Sequence, residues 1–182
     1  MDITIREYQS SDWEEVKLLI IEAENFGPSM VKSERQRIEF YLQVPVKGIT
    51  FVVEHKGKIS GGEEGIEDVI QKSILAYSII DYFGKGAFIL SLVVGKEWRG
   101  KGIGRELINF IKNYVRNQQQ FDILRGFADD RYFGVHSFLL KQGFQTCGYI
   151  NHDLELNQST IHYVLHLRPE KDEKEKDTFI SA

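Results

Sequence analysis

The sequence is poor in cysteine and proline and has no long apolar run. Its 182 residues include a single cysteine, Cys147, and three prolines. One cysteine excludes an intrachain disulfide, which favours a reducing compartment and a structural role for the thiol. No apolar run reaches the length of a membrane-spanning helix, and the opening residues MDITIREYQ lack the basic and apolar regions of a signal peptide. These absences predict a cytoplasmic protein without a membrane segment.

Positive charge is scarce as well. Lysine and arginine number 23 against 27 aspartates and glutamates, and the resulting net charge of -4 argues against a nucleic-acid partner. A content of 42% hydrophobic and 12% aromatic residues is typical of a soluble globular protein, and the length suits one domain. We predict this domain over residues 1–168. Residues 169–182 are charged and lack apolar periodicity, which predicts a disordered tail.

Hydrophobic patterns predict a chain that contains both helices and strands. Ser11 and Glu14 form a capping-box signature at the start of the first helix. The segments KGK at 56–58 and GKG at 84–86 predict turns, the second within an antiparallel hairpin, and the acidic segment 61–71 predicts a loop. The predicted strands span 3–8, 50–55, 74–82, 88–94, 121–128, 145–150 and 160–167, and the predicted helices span 13–23, 33–43, 103–114 and 135–142.

A glycine cluster follows the fourth predicted strand. The stretch VVGKEWRGKGIGREL, residues 93–107, has three glycines at alternate positions before a helix. A P-loop ends in Gly-Lys-Ser/Thr, whereas Gly104 is followed by Arg105. A dinucleotide fingerprint opens a parallel βαβ unit, whereas the hairpin predicted at 84–86 indicates an antiparallel neighbour. Both motifs therefore fit poorly, and the same hairpin disfavours a phosphate-binding regulator of another fold.

Glycines at a strand-to-helix junction have two explanations. Backbone N–H groups of such a loop can point outward beside the positive end of the helix dipole, which makes a nest for phosphate. The alternative is a structural turn, because glycine is common wherever the chain bends sharply. Either explanation fits the loop taken alone, and the order of the surrounding elements favours the nest.

The full motif of this loop has a known counterpart. Arg99-Gly100-Lys101-Gly102-Ile103-Gly104 fits the pattern Arg/Gln-x-x-Gly-x-Gly/Ala. With the order of elements around it, this stretch resembles the GNAT superfamily of acyl-CoA-dependent N-acyltransferases. FLLKQGF, residues 138–144, is more loosely similar to the family's aromatic-Tyr-x-x-x-Gly-Phe, and the resemblance extends over residues 3–167. It implies an α+β fold, an α/β/α sandwich with a mixed, mainly antiparallel central sheet of about six to seven strands flanked by about four helices.

The resemblance also implies a binding site. In the family this loop wraps the pyrophosphate of coenzyme A, so acetyl-CoA is the implied cosubstrate, and no metal is implied. The backbone at 92–94 would contact the pantetheine arm and the acyl carbonyl. The implied cofactor-binding residues are Leu92, Val93, Val94, Arg99, Gly100, Lys101, Gly102, Ile103, Gly104 and Arg105.

Acyl transfer to an amine sets three chemical requirements. An amine attacks only as the free base, and a lysine amine with a pKa of about 10.4 is mostly protonated at neutral pH. The oxyanion needs a hydrogen-bond donor, and an N–H of the strand at 88–94 is expected to supply it if a bulge leaves that N–H unpaired. The departing thiolate benefits from a proton or a strong hydrogen bond.

The sequence departs from the family at the usual proton donor. Leu139 stands where many relatives carry a tyrosine, and Tyr132 stands where they usually carry an asparagine. His136 lies about one turn before Leu139 on the same predicted helix, so it is a candidate substitute acid. A surface or capping role would explain this histidine equally well.

Four residues are candidates for the general base. Glu54 ends its predicted strand, Asp81 and Tyr82 end theirs, and a hydroxyl at Ser91 would organise a water from the central strand. Glu54 is also explained as a solvent-facing strand residue, and Asp81 as a cap of the turn at 84–86. The residues alone do not choose among them.

Two functions therefore remain open. The first is an enzyme that transfers the acetyl group of acetyl-CoA to a primary amine of a small molecule, a peptide or a protein, by direct attack through a tetrahedral intermediate. The second is a noncatalytic acyl-CoA-binding module, which Leu139 keeps open.

The acceptor site is expected along residues 25–43 and the loops after the later strands. Glu24, Glu34 and Glu39 would attract a cationic amine there, or they are ordinary carboxylates of a helix surface. The late strands offer an edge that would allow a homodimer.

Overall fold

Seven strands and four α-helices lie in the part of the chain that the structure describes. In the computed structural model this part comprises residues 2–23, 28–59, 69–155 and 158–168. None of its helices is both long and apolar enough to cross a membrane. The strands are β1 (Ile3–Glu7), β2 (Gly48–Ile59), β3 (Val69–Phe83), β4 (Gly86–Val94), β5 (Ile123–Asp129), β6 (Gln145–Glu155) and β7 (Gln158–His166). The helices are α1 (Trp13–Glu22), α2 (Pro28–Gln43), α3 (Ile103–Asn117) and α4 (Phe133–Lys141), and 3₁₀ turns at Ser10–Asp12 and Lys96–Trp98 lie before α1 and before the glycine loop.

The strands form one sheet in the order β1-β2-β3-β4-β5-β7-β6. Neighbouring strands are antiparallel except for β4 and β5, which are parallel. The predicted hairpin of β3 and β4 is confirmed, and Gly84 has a φ of 56° at its turn. This left-handed conformation favours glycine, which is the signal that the sequence carried.

The parallel pairing of β4 and β5 corrects one prediction. Strand β4, which leads into the glycine loop, lies between β3 and β5 in the sheet. It is antiparallel to β3, as predicted, but parallel to β5. Helix α3 is the crossover of a parallel βαβ unit. The hairpin at 84–86 alone therefore does not exclude other phosphate-binding folds. The complete strand order is needed to tell them apart from this fold.

Apolar clusters pack on both faces of the sheet, so the predicted α/β/α sandwich with a mixed, mainly antiparallel sheet is confirmed. Apolar residues of α3 recur every four positions, which places them on one face of the helix. The α3 cluster contains Ile89, Ile103, Leu107, Ile111, Val115, Leu124, Leu139 and Tyr163 among others. The α1/α2 cluster contains Val16, Leu19, Ile20, Ala23, Ile38, Val52, Tyr77 and Val93 among others.

The start of α1 differs from the prediction. The capping box is formed by Gln9 and Asp12, upstream of Ser11 and Glu14. Asp12 Oδ2 accepts the Gln9 N–H at 2.8 Å and Arg6 Nη1 at 2.7 Å. This box caps the 3₁₀ turn before α1, and α1 itself has no side-chain cap. The Asp12 carboxylate can accept from a guanidinium and from the Gln9 N–H at the same time, which the neighbouring hydroxyl cannot.

Two further boundaries differ. Helix α2 begins at Pro28, since proline is favoured in a first helical turn whose N–H groups have no helical partner. Strand β2 runs through the turn predicted at 56–58, because its hairpin with β3 continues beyond the β-branched run. The predicted loop 61–71 is strand from Val69 onward. Its other residues, like the predicted tail 169–182, lie outside the described residues.

Candidate active site

The sheet opens between its two parallel strands. Residues 86–89 of β4 pair with residues 123–126 of β5, and no further pair joins the two described strands. Both continue past this point, to Val94 and to Asp129. Backbone groups on the facing edges of the opening are therefore not hydrogen-bonded between the two strands.

A bulge in β4 lies where the opening begins. Ile89 and Ser91 pair with adjacent residues of β3, so Leu90 is the extra residue. Ile89 packs in the α3 cluster and Leu90 against the α1/α2 cluster, and after the bulge Leu92 returns to the α3 side. A bulge within 88–94, the condition that the sequence analysis set for an oxyanion donor, is therefore present. Its role in supplying an oxyanion donor stays a prediction.

A cavity of about 1000 Å³ occupies the opening. Leu92 and Leu139 line it and belong to the α3 side of the sheet. Leu90 and Ala23 also line it and belong to the α1/α2 side. The cavity therefore passes through the sheet, and a ligand on one face can meet a ligand that approaches from the other.

The glycine loop forms one end of this cavity. Gly100 and Gly102 have φ values of 72° and 89°, a backbone region in which a Cβ atom is strained. Gly102 is the N-cap of α3 and gives the helix no side-chain cap, so the first N–H groups of α3 have no such partner. Gly100, Gly102 and Gly104 all line the cavity. The loop thus has the geometry of a phosphate nest at a helix N-terminus.

Basic side chains of the loop differ in their placement. Arg99 Nε donates to the Val94 carbonyl at 3.0 Å, which joins the loop to the end of β4. The Lys101 ammonium lies 4.7 Å from the centre of the Trp98 ring. Arg99 and Arg105 line the cavity, whereas Lys101 does not. The remaining cofactor-binding residues predicted from the sequence are lining residues: Leu92, Val93, Val94, Gly100, Gly102, Ile103 and Gly104.

Glu54 lies away from the cavity in a buried ion pair. Its Oε2 accepts Arg6 Nε at 2.8 Å and Nη2 at 2.6 Å, and Arg6 also reaches Asp12. The Glu54 side chain is 5% exposed, so its interpretation as a solvent-facing residue is wrong. Burial acts to raise the pKa of Asp12, but hydrogen bonds from Arg6 and Gln9 outweigh it and lower that pKa. This cluster joins β1, β2 and the turn before α1.

Of the three other predicted bases, only Ser91 lines the cavity. Asp81 and Tyr82 lie near the closed end of the hairpin, and neither lines the cavity. Asp81 Oδ1 accepts the Tyr41 hydroxyl at 2.9 Å. The Tyr82 ring packs 4.7 Å from that of Phe121, and burial raises the pKa of Tyr82. Ser91, in contrast, lines the cavity beside the bulge.

His136 is buried against β7 and not against the cavity. Its Nδ1 lies 2.7 Å from the Tyr163 hydroxyl, and burial raises the pKa of Tyr163. Its Nε2 is buried and has no hydrogen-bond partner among the described residues. Leu139, one turn later, does line the cavity. The structure therefore does not bring the predicted acid to the predicted site.

A tyrosine that the sequence analysis did not assign to catalysis lines the cavity. Tyr132 is the N-cap of α4, and its N–H donates to the Asp129 carbonyl at 3.1 Å. Arg131 holds the Asp129 carboxylate through Nε at 2.8 Å and Nη2 at 2.6 Å, which fixes this turn. Tyr132 and Ser91 are the hydroxyl-bearing residues among the described residues of the lining. The available signal was its place in the family's pattern, at the position of the usual asparagine.

The carboxylates predicted to attract an amine are already engaged. Glu34 is fully buried, and its Oε2 accepts the Tyr77 hydroxyl at 3.0 Å. Burial and the Glu34 carboxylate raise the pKa of Tyr77 well above its ordinary value. Glu39 pairs with Arg35 at 2.7 Å on the surface of α2. Glu24 lies outside the described residues.

Solved structures of N-acetyltransferases share this architecture. The ribosomal-protein-S18-alanine N-acetyltransferase of Escherichia coli is 13% identical with a TM-score of 0.70, covering 94% of this chain and 97% of its own. A spermidine N-acetyltransferase chimaera that includes the Vibrio cholerae enzyme is 17% identical with a TM-score of 0.71, covering 92% and 96%. An aminoglycoside 6′-N-acetyltransferase complexed with coenzyme A is 14% identical with a TM-score of 0.66, covering 93% and 99%. At these identities the likeness shows the fold.

Membership of a family is shown by the sequence itself. No curated protein matches the chain. Residues 18–144, more than half of its length, match the profile of the acetyltransferase (GNAT) family. This segment includes the glycine loop, both parallel strands and the residues around the opening between them. The chain therefore belongs to the GNAT acetyltransferase family.

Proposed function

We propose that this chain transfers the acetyl group of acetyl-CoA to a primary amine. The observation that carries the proposal is a cavity that passes through the sheet beside a glycine nest. Structures of the same fold include one complexed with coenzyme A and others named for a protein alanine and for spermidine. These names support a coenzyme A thioester as donor and an amine as acceptor.

The residues around the cavity fit coenzyme A. The nest at Gly100 and Gly102 suits a pyrophosphate, because backbone N–H groups and the α3 dipole favour negative charge there. Arg99 and Arg105 line the same region and add positive charge. The edge of β4 at 90–94, which β5 leaves unpaired, suits the amide groups of a pantetheine arm, as an edge strand suits a peptide.

The transfer requires a defined path for electrons and protons. The lone pair of the free amine attacks the thioester carbonyl carbon, so that a C–N bond forms and the carbonyl oxygen becomes an oxyanion. We assign the stabilisation of this charge to a backbone N–H at the bulge of β4. The C–S bond then breaks, the amine nitrogen loses a proton, and the thiolate of coenzyme A gains one.

We assign these proton transfers to the hydroxyl-bearing residues of the cavity. Tyr132 donates to the departing thiolate, in place of the tyrosine that Leu139 replaces. Ser91, beside the bulge, orients the water that takes the proton of the amine. Both residues line the cavity, which Glu54, Asp81, Tyr82 and His136 do not.

A noncatalytic acyl-CoA-binding protein is the second candidate. The described part of the cavity lining contains no aspartate, glutamate, histidine or lysine, and Leu139 has no proton to donate. Such a protein would bind acetyl-CoA and leave it intact with every amine. Chromatographic measurement of free coenzyme A during incubation with a panel of amines separates the two candidates.

The first test is isothermal titration with acetyl-CoA, coenzyme A, ATP and NAD. We expect acetyl-CoA and coenzyme A to bind and the other two to bind far more weakly. Gly102→Glu places a carboxylate in the nest and is expected to abolish binding. Gly84→Glu is the matched control, because Gly84 also has a positive φ but lies in the hairpin turn with no atom within 4 Å of an added Cβ. Each change strains a left-handed residue by about 1–2 kcal/mol.

Two results would contradict the proposal, and a third would remove Gly102→Glu as evidence for it. Equal binding of ATP or NAD would make the loop a general phosphate site. Retention of acetyl-CoA binding by Gly102→Glu would remove the nest from the site. Equal loss of binding in Gly84→Glu would show that the effect is one of stability.

A further inference from the structure

The cavity opens on the α1/α2 face of the sheet beside a part of β5 that no described residue of the α1/α2 cluster covers. The α1/α2 cluster draws residues from β2, β3 and β4, and among the described residues none from β5, β6 or β7. Leu124 packs in the α3 cluster, so Phe127, three positions later on the strand, lies on the opposite face. Phe127 is 37% exposed and lines the cavity. Phe127 is therefore part of the surface that is open to an acceptor entering from this face.

The Phe127 ring is positioned by a neighbouring aromatic ring. Its ring stacks on that of His162 of β7, with centres 5.8 Å apart and planes inclined by 25°. The two residues are paired across the strands, and His162 Nε2 lies 2.9 Å from Thr160 Oγ1. One face of the Phe127 ring is in contact with His162, so an apolar or aromatic group can pack on the opposite face.

Arg125 supplies a positive charge on the same face. It lies two residues before Phe127 on β5, outside the cavity lining but next to Gly126, which does line the cavity. Its guanidinium stands 5.4 Å from the centre of the Phe88 ring. Among the described residues no carboxylate lies within ion-pair distance of it. Asp129, the carboxylate on the same face of β5, is held in a bidentate pair by Arg131. The guanidinium edge of Arg125 is therefore available to an anion.

The described carboxylates predicted to attract a cationic amine do not offset the charge of Arg125. Glu34 is bonded to Tyr77 and Glu39 to Arg35. Within the described residues, a polyamine would therefore meet the Arg125 cation without a carboxylate that is free to compensate it. The face suits an acceptor with one amine, one anionic group and a flat apolar group.

We propose that the acceptor is an aromatic α-amino acid, whose ring packs on Phe127 and whose carboxylate pairs with Arg125. This inference rests on the proposed function and names its substrate class. Arg125 and Phe127 leave the same face of β5 at backbone positions about 6.6–6.8 Å apart, and the long arginine side chain can adjust its guanidinium to the carboxylate of such an acid. The amine then lies toward Leu90, where the cavity passes through the sheet.

The test measures binding to the protein saturated with coenzyme A, so that no acetyl transfer occurs. L-phenylalanine has the ring and the carboxylate, L-phenylalaninamide lacks only the charge, and L-alanine lacks only the ring. We expect L-phenylalanine to bind at least about tenfold more tightly than either, the size of one charge-assisted hydrogen bond or one buried ring contact. Spermidine should bind more weakly still.

Variants assign each effect to a residue. Arg125→Gln should weaken L-phenylalanine about tenfold and leave L-phenylalaninamide unchanged. Phe127→Leu should weaken both. Arg35→Gln is the matched control, because Arg35 also stands over a ring, that of Trp13 at 5.0 Å, but lies on α2 and is paired with Glu39. It should change neither affinity.

The outcomes separate this inference from the proposed function. Equal affinities for the acid and its amide, or equal losses for both in Arg125→Gln, would overturn the carboxylate pairing. An affinity for L-alanine equal to that for L-phenylalanine would overturn the ring contact, and tighter binding of spermidine would overturn the substrate class. If acetyl-CoA binds and L-phenylalanine does not, only the acceptor is wrong. If acetyl-CoA itself does not bind, both proposals fall.

Discussion

Replacing Glu54 by glutamine distinguishes a structural carboxylate from a catalytic one. Glu54 Oε2 accepts two N–H groups of Arg6, at 2.6 and 2.8 Å, and its side chain is 5% exposed. Glutamine keeps the shape but not the charge, while Arg6 keeps its bonds to Asp12 at 2.7 and 2.9 Å. The lost free energy is therefore that of a charge-assisted hydrogen bond, about 2 kcal/mol, and not the full cost of an unpaired buried charge.

The expected effect on unfolding follows from this value. For a chain of 182 residues, about 2 kcal/mol lowers the Tm by about 4–8 °C. Glu39→Gln is the matched control, because Glu39 pairs with Arg35 at 2.7 Å but its side chain is 51% exposed. An exposed pair of this kind contributes less than about 0.5 kcal/mol, so its Tm should change by about 1–2 °C at most. Calorimetry and urea unfolding measure both variants.

Steady-state kinetics complete the test. Glu54 lies outside the cavity lining, so kcat of Glu54→Gln at 25 °C should stay within about twofold of the wild type. Loss of a general base would lower kcat by about a hundredfold or more. A hundredfold fall in kcat with an unchanged Tm would refute the structural assignment and restore Glu54 as the base.

Two further predictions follow from the site and from the ion pair. Tyr132→Phe should lower kcat by about a hundredfold and leave the Kd for acetyl-CoA unchanged, whereas Tyr149→Phe, on the exposed strand β6, should change neither; equal kcat values in the two variants would remove Tyr132 from the chemistry. Asp12→Asn should lower the free energy of unfolding at pH 7. Because the folded pKa of Asp12 is lowered, its stabilisation is present above the unfolded value of about 3.9 and is lost as pH falls through the lower folded value. The difference from the wild type should therefore shrink in urea titrations below about pH 4, and a difference that persists unchanged at lower pH would argue against an ionic contribution.

Much of the fold could be predicted from short sequence patterns, because strand formation and turns depend on the conformational preferences of neighbouring residues. The β-branched run around Val52 indicated a strand, and the glycines of the loop marked the left-handed residues Gly100 and Gly102. No short pattern in the sequence indicated that β5 would pair with β4. A hairpin is visible in the sequence because its strands are adjacent, whereas the pairing of β4 with β5 is made across the whole of α3.

The candidate catalytic residues were harder to predict because their partners are distant in sequence. Nothing near Glu54 indicates that Arg6 will hold it, since the two are 48 residues apart. His136 and Leu139 lie within one turn of α4, yet three residues of a helix rotate a side chain by about 60° from its starting direction. That rotation directs His136 to Tyr163 on β7 and leaves Leu139 at the cavity.

The passage of the cavity through the sheet has a consequence for evolvability. The nest at Gly102 caps α3, which packs on one face of the sheet. Phe127 lies on the other face, because side chains alternate between the two faces along a strand. Under the proposed assignment, a substitution at Phe127 or Arg125 changes the contacts with the acceptor on one face and leaves the coenzyme A contacts at Gly102 on the other face unchanged. Selection for a new partner therefore acts on a small, separable set of positions, and the rest of the chain can keep its sequence.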